Sequence, residues 1–167
     1  MAKRGHLDNR ILDAMVYSIG KTVTDTFATA AEIFVDEAGR NFLHYVREKE
    51  GVDLLRERPL DTLRAIYAYF TERGFFEEAS VEQRGDRIVL VERGAAHGGA
   101  LRHMARDPSV KTMYCPACVL AKHALREHHN LVVDEVATRL DEPDAVRYEL
   151  KLSRWETKEP EAAFVYQ

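Results

Sequence analysis

Apolar positions along this chain change period once, near residue 74, and the change divides a helical front from a strand-rich back. Ile11, Leu12, Met15, Val16 and Ile19 recur at the spacing of one helix face, and Gly20 interrupts them. A second series runs through Val23, Phe27, Ala30, Ala31, Phe34, Val35, Phe42, Tyr45 and Val46. It predicts either one long helix or two that break near Gly39. Gly51 marks a loop. Pro59 suits a first helical turn, Leu60, Leu63, Ile66, Tyr67 and Phe70 form one stripe, and Gly74 is placed to cap that helix at its C-terminus.

Beyond Gly74 the period falls toward two. Segments 75–83 and 87–93 flank Arg84-Gly85-Asp86, which reads as a tight hairpin. Ile88-Val89-Leu90-Val91 is apolar on both faces, so this strand is expected to be central in its sheet. A long connection follows, residues 94–114, with a short helical piece around Ala100–Arg106. Segment 115–129 reads as a helix. Leu131–Leu140 and Ala145–Ser153 read as strands joined by a turn at Asp141-Glu142-Pro143-Asp144. In the last strand Val146, Tyr148, Leu150 and Leu152 alternate with Arg147, Glu149 and Lys151, giving one dry and one wet face. The expected fold is therefore α+β, with N-terminal helices packed on a four-stranded antiparallel sheet of two hairpins separated by a helix.

The chain of 167 residues is long enough for one domain with a sizeable core. Residues 1–156 are read as one small-molecule-binding domain and 157–167 as a C-terminal extension. A net charge of −4 gives no general pull toward nucleic acid. No apolar run approaches the ~20 residues of a membrane span. The basic start MAKRGHLDNR has no apolar stretch after it, so it does not read as a signal peptide. The expectation is a cytoplasmic protein without a nucleic-acid or membrane partner, its thiols reduced or metal-bound.

The chemistry centres on Tyr114-Cys115-Pro116-Ala117-Cys118, which holds the only two cysteines of the chain. Two thiols so spaced can share a metal, close a small disulfide, or simply pack in a core. A tetrahedral zinc site needs four ligands, or three with water in the fourth position. On a helix, His129 lies ~16 Å beyond Cys118, and His123 points away, so neither completes the set. His97 and His103, on the connection before the motif, are the better candidates. The candidate metal ligands are Cys115, Cys118, His97 and His103, and zinc is the cofactor they suggest. A thiolate at a helix N-terminus is favoured by the helix dipole. The pair His128-His129 reads as a solvated helix end. Large rings concentrate in the N-terminal half, and Phe34, Phe42, Tyr45, Tyr67 and Phe70 are candidates to line an apolar ligand cavity between helices and sheet.

Several local phrases add to this order of elements. Glu37-Ala38-Gly39-Arg40-Asn41-Phe42 closes a long helix, Gly74-Phe75-Phe76-Glu77 starts a strand, and Arg87-Ile88-Val89-Leu90-Val91-Glu92 follows the turn. The cysteine-led segment Cys115-Pro116-Ala117-Cys118-Val119-Leu120-Ala121 precedes strands ending in Tyr148-Glu149-Leu150-Lys151-Leu152. Over residues 10–153 the chain resembles the 4-vinyl reductase domain family. The resemblance implies an α+β domain that binds a hydrophobic small molecule, and a homodimer. In some members zinc is held by the cysteine leading this helix and by cysteines in the last two strands. Here Leu131–Ser153 contains no cysteine, so only Cys115 matches that pattern.

Two functions follow as expectations. One is a stand-alone sensor or carrier that holds a hydrophobic or aromatic molecule between helices and sheet. The alternative is a metal- or thiol-dependent enzyme using Cys115, with His97 or His103 as base.

Overall fold

A computed structural model describes residues 9–27, 31–107, 115–142 and 145–155. The elements run α1 (Asn9–Phe27), α2 (Ala31–Glu50), α3 (Pro59–Glu72), β1 (Glu78–Arg84), β2 (Arg87–Arg93), α4 (Gly98–Arg106), α5 (Pro116–His129), β3 (Leu131–Glu142) and β4 (Ala145–Arg154). The expected α+β architecture is present. One antiparallel sheet has the order β1-β2-β4-β3, two hairpins joined edge to edge by β2 and β4. As expected from its doubly apolar sequence, β2 is an inner strand. The extension 157–167 lies outside the described residues.

Each hairpin has a local cause. Arg84 pairs with Arg87, which leaves Gly85-Asp86 as a two-residue turn. Gly85 has φ +64, a left-handed conformation that a tight hairpin needs and that glycine adopts without a Cβ clash. Along β2 the core-facing positions are Ile88, Leu90 and Glu92, opposite Leu150, Tyr148 and Val146 of β4. α3 packs on β1, and α5 packs on α3 and β3. Leu63, Ile66, Leu120 and Leu125 are almost completely buried between them.

One sequence expectation about a helix break is corrected, and one open alternative is decided. α1 continues through Gly20, where the Thr24 hydroxyl donates to the Gly20 carbonyl at 2.9 Å. α2 is continuous through Gly39. That glycine faces α5 closely enough that a Cβ would lie 2.5 Å from the His123 Cβ. It is there to let two helices approach, not to end one. The histidine pair at the end of α5 is also more than a solvated end. His129 Nε2 lies 2.8 Å from the Thr62 hydroxyl and ties α5 to α3. Burial, with His128 beside it, holds its pKa below the ordinary value.

No helix among the described residues is long and apolar enough to cross a membrane. On α1, Ile11, Met15 and Ile19 share one stripe and are each about half exposed.

Candidate metal centre

Glu92, His97 and Cys115 converge from three places in the fold. Glu92 continues the inward-facing alternation of β2. His97 follows that strand and stands at the N-cap of α4 with φ −111 and ψ 25. Cys115 is the N-cap of α5, with the extended φ −59 and ψ 126, and Pro116 fixes the first helical turn. One donor atom of each residue lies within 4.8 Å of the others, and all three residues are 0% exposed. The three could hold a metal ion.

The supports of this group are specific. Asp13 of α1 accepts a hydrogen bond from the Ala100 amide at 2.8 Å and so caps α4 from outside. Gly99 lets it approach, since a Cβ there would meet the Asp13 carboxylate at 2.1 Å. The His97 ring packs on Phe75 with centroids 4.7 Å apart. Neither of its nitrogens has a hydrogen-bond partner among the described residues, and the same holds for Glu92 Oε2. Buried polar atoms are usually paired, and these have no partner among the described residues. The Cys115 thiol donates to Glu92 Oε1 at 3.6 Å.

The charge states fit that reading. Burial pushes the Glu92 carboxyl up to about 7, while the Tyr67 hydroxyl, the Cys115 thiol and the Tyr148 hydroxyl favour its anion. Burial holds His97 down to about 4, so the imidazole is neutral and free to ligate. Burial pushes the Cys115 thiol well up, helped by the Cys118 thiol and by Glu92, while the Cys118 backbone acts the other way. A metal ion would displace the protons of Glu92 and Cys115.

In the metal-free protein these shifts oppose each other. Glu92 binds its extra proton in the folded state. Its contribution is intact below its ordinary value of 4.5 and is lost as pH rises to about 7. His97 is the reverse. Its contribution is intact above 6.5 and is lost as pH falls to about 4. Over most of that range the two slopes cancel. Glu92→Gln leaves the His97 slope alone. We expect metal-free Glu92→Gln to lose about 2 kcal/mol more stability than the wild type on going from pH 6.5 to 4, read by urea unfolding. Parallel profiles for the two proteins would show that the groups are not buried together.

The sequence candidates are divided by the fold. His97 and Cys115 are brought together. Cys118 is 5% exposed and its sulfur lies 3.5 Å from the Tyr67 hydroxyl, outside the donor group. His103 is exposed and meets the edge of the Tyr17 ring at 6.2 Å. Glu92 was missed from the sequence. Its signal was parity, because it shares the strand face of Ile88 and Leu90, where a carboxylate is out of place.

Among the candidate ligand-lining rings, Tyr67 and Phe70 are buried. Phe42 meets Phe70 edge-on at 5.5 Å, and Tyr67 stacks on Phe76 at 5.8 Å. Phe34 and Tyr45 lie outward on α2, 41% and 55% exposed. Between α3, α5 and the sheet is a cavity of about 10 Å³, walled by Leu63, Tyr67, Leu90, Cys118 and Tyr148 among others. That is room for about one water molecule. An open groove of about 430 Å³ lies between α3 and β1, and Tyr67 lines both spaces.

A second group, Asp36, His123 and Glu127, has its donors equally close. It already holds a cation. Arg126 pairs with Asp36 and, at 3.0 Å, with Glu127, while His123 Nδ1 lies 3.0 Å from Asp36. This group pins α2 to α5, and its carboxylates are already compensated.

No protein-family model and no curated protein matches the chain.

Proposed function

We propose that the chain is a metal-binding domain in which Glu92, His97 and Cys115 hold one zinc ion, leaving a coordination position for water or a small molecule. The observation that carries this is the fully buried triad, with both His97 nitrogens and Glu92 Oε2 lacking partners among the described residues. One imidazole nitrogen, one carboxylate and one thiolate form a donor set suited to zinc. The two anionic ligands cancel the charge of the dication, which a buried site requires. Three protein ligands leave the tetrahedron open. The resemblance to the 4-vinyl reductase domain family supports zinc at the cysteine-led helix. Glu92 and His97 would then stand in for the strand cysteines this chain lacks.

The test is equilibrium dialysis of the reduced protein against zinc alone, with a thiol count and a denaturation curve. The expected result is one zinc per chain and protection of the Cys115 thiol. Free zinc at a thousandfold excess over Kd should add about 4 kcal/mol of stability. Failure to bind zinc would overturn the reading.

The second reading is a carrier or sensor of an apolar molecule with one polar end. It is favoured by the apolar walls Leu63, Leu90 and Leu150, with the Tyr67 and Tyr148 hydroxyls beside them. A cavity of about 10 Å³ admits no ring, so such a ligand would have to part α3 from the sheet, and the groove beside Tyr67 marks the approach. Phenol is the probe. Stabilisation of the zinc-loaded protein by phenol, abolished in Tyr67→Phe, would support it. An unchanged melting temperature at millimolar phenol would exclude that class of ligand.

A further inference from the structure

Cys118 is the one thiol the metal reading leaves unused, and its position gives it a chemistry of its own. Cys115 is the N-cap of α5 and Cys118 is the third residue of the helix. An N-cap side chain folds back over the first turn and reaches the third helical residue, which is why capping oxygens bond the amide there. Cys115 has the non-helical φ −59 and ψ 126 of an N-cap, with its thiol turned to Glu92 in place of a capping hydrogen bond. Burial, the Cys118 thiol and Glu92 all push the Cys115 thiol up from its ordinary value. Both cysteines are free and buried in the same core. A disulfide needs its two Cβ atoms roughly 4 Å apart, and residues three apart at a helix start are neighbours on one face, so side-chain rotation has only to turn the two sulfurs toward each other.

The two thiols are not equivalent. Cys115 is 0% exposed and hydrogen-bonded to Glu92. Cys118 is 5% exposed and borders the small cavity, whose wall also includes the half-buried Lys122. A cavity of about 10 Å³ admits a water-sized solute and little else. Hydrogen peroxide is close to that size. Glutathione disulfide is far larger.

We propose that Cys115 and Cys118 form a peroxide-responsive dithiol whose disulfide withdraws Cys115 from Glu92 and His97 and so releases the metal; the release half rests on the zinc reading above. The Cys118 sulfur attacks one peroxide oxygen, the O–O bond breaks, and a sulfenic acid and one water form as the thiol proton passes to the leaving hydroxide. The Cys115 sulfur then attacks the Cys118 sulfur, the S–O bond breaks, and the second water leaves. The two sulfurs together lose two electrons, and peroxide is reduced to two waters. The metal loses its thiolate ligand and keeps only Glu92 and His97, which is too few for a stable zinc site. Dithiothreitol reverses the bond and restores the ligand.

The experiment uses the full chain in two states, reduced metal-free and zinc-loaded, each treated with hydrogen peroxide and read by intact mass, thiol titration and a chromogenic zinc chelator. The metal-free protein is expected to lose both thiols and the mass of two hydrogens. In the zinc-loaded protein, metal release should rise in step with disulfide, with zinc affinity down at least ~100-fold. Cys118→Ser should bind zinc like the wild type and keep it at the dose that empties the wild type. Cys118→Ala serves as the second variant where a buried hydroxyl disturbs folding. A mass gain of oxygen without loss of both thiols would overturn the dithiol. Release from Cys118→Ser at the wild-type dose would overturn the coupling, and so would loss of zinc binding in both Cys118 variants. Absence of zinc binding by the reduced wild type would overturn the metal reading instead, and the mass of the metal-free protein then decides the dithiol alone.

Discussion

Replacing Cys115 by serine is expected to weaken zinc binding by a hundredfold or more while the far-UV spectrum stays native. The reason is charge as much as geometry. In the buried triad the Glu92 carboxylate and the Cys115 thiolate together neutralise the dication. Without the thiolate one positive charge is left in a site with 0% exposure. Removing one partner of a buried charge pair costs about 3–5 kcal/mol, which is a factor of hundreds to thousands in affinity. His97→Ala should lose a comparable amount, since it removes the only nitrogen donor of the group. Exposed His103→Ala should change nothing. Competition against a chelator of known affinity measures all three. Wild-type affinity in Cys115→Ser would mean that zinc, if bound, sits elsewhere, and the Asp36–His123–Glu127 group would be next.

Among substitutions away from the metal site, a large stability effect is expected at Gly39. A Cβ there would sit 2.5 Å from the His123 Cβ and 2.7 Å from the Val119 carbonyl oxygen, both on α5. A backbone oxygen cannot rotate away, so α2 and α5 must move apart. Moving them loosens the contacts of Asp36 with His123 and Arg126. Overpacking of this kind costs about 1–3 kcal/mol, and Gly39→Val should reach the top of that range or pass it. The sign makes the test sharp. At an exposed helix position, alanine is about 1 kcal/mol better than glycine. Gly39→Ala should nevertheless destabilise, shown by a lower urea midpoint at unchanged slope. A stabilised Gly39→Ala protein would mean that the helices do not approach here.

These two residues also show how far the sequence reaches. The change of apolar period near Gly74, the Gly85-Asp86 turn and the doubly apolar stretch of β2 are local patterns. They were enough for the α+β class, the strand pairing within each hairpin and the inner position of β2. Local patterning works there because a strand face or a helix stripe is set by residues two to four apart. Gly20 was misread and Gly39 was left open for the same reason. Locally, Gly20 and Gly39 look like helix breaks, and only the arrival of α5 against α2 reveals what Gly39 is for.

The candidate site divides along the same line. Cys115 and His97 were visible as ligand-type residues, and helix geometry kept His123 and His129 out of their company. Glu92 was hidden among ordinary surface-type glutamates, since its burial depends on strand parity, on β4 pairing beside it and on α3 closing over it. Phe34 and Tyr45 share the periodicity of buried rings yet face outward, because which side of α2 is covered depends on where α5 packs. The sequence by itself determined the run of helices before strands, the placement of the two hairpins and the residue types available at Cys115. The tertiary structure alone decided which side chains lost their water, and a buried carboxylate, imidazole and thiol acquire a shared chemistry only when no solvent is left to satisfy them separately.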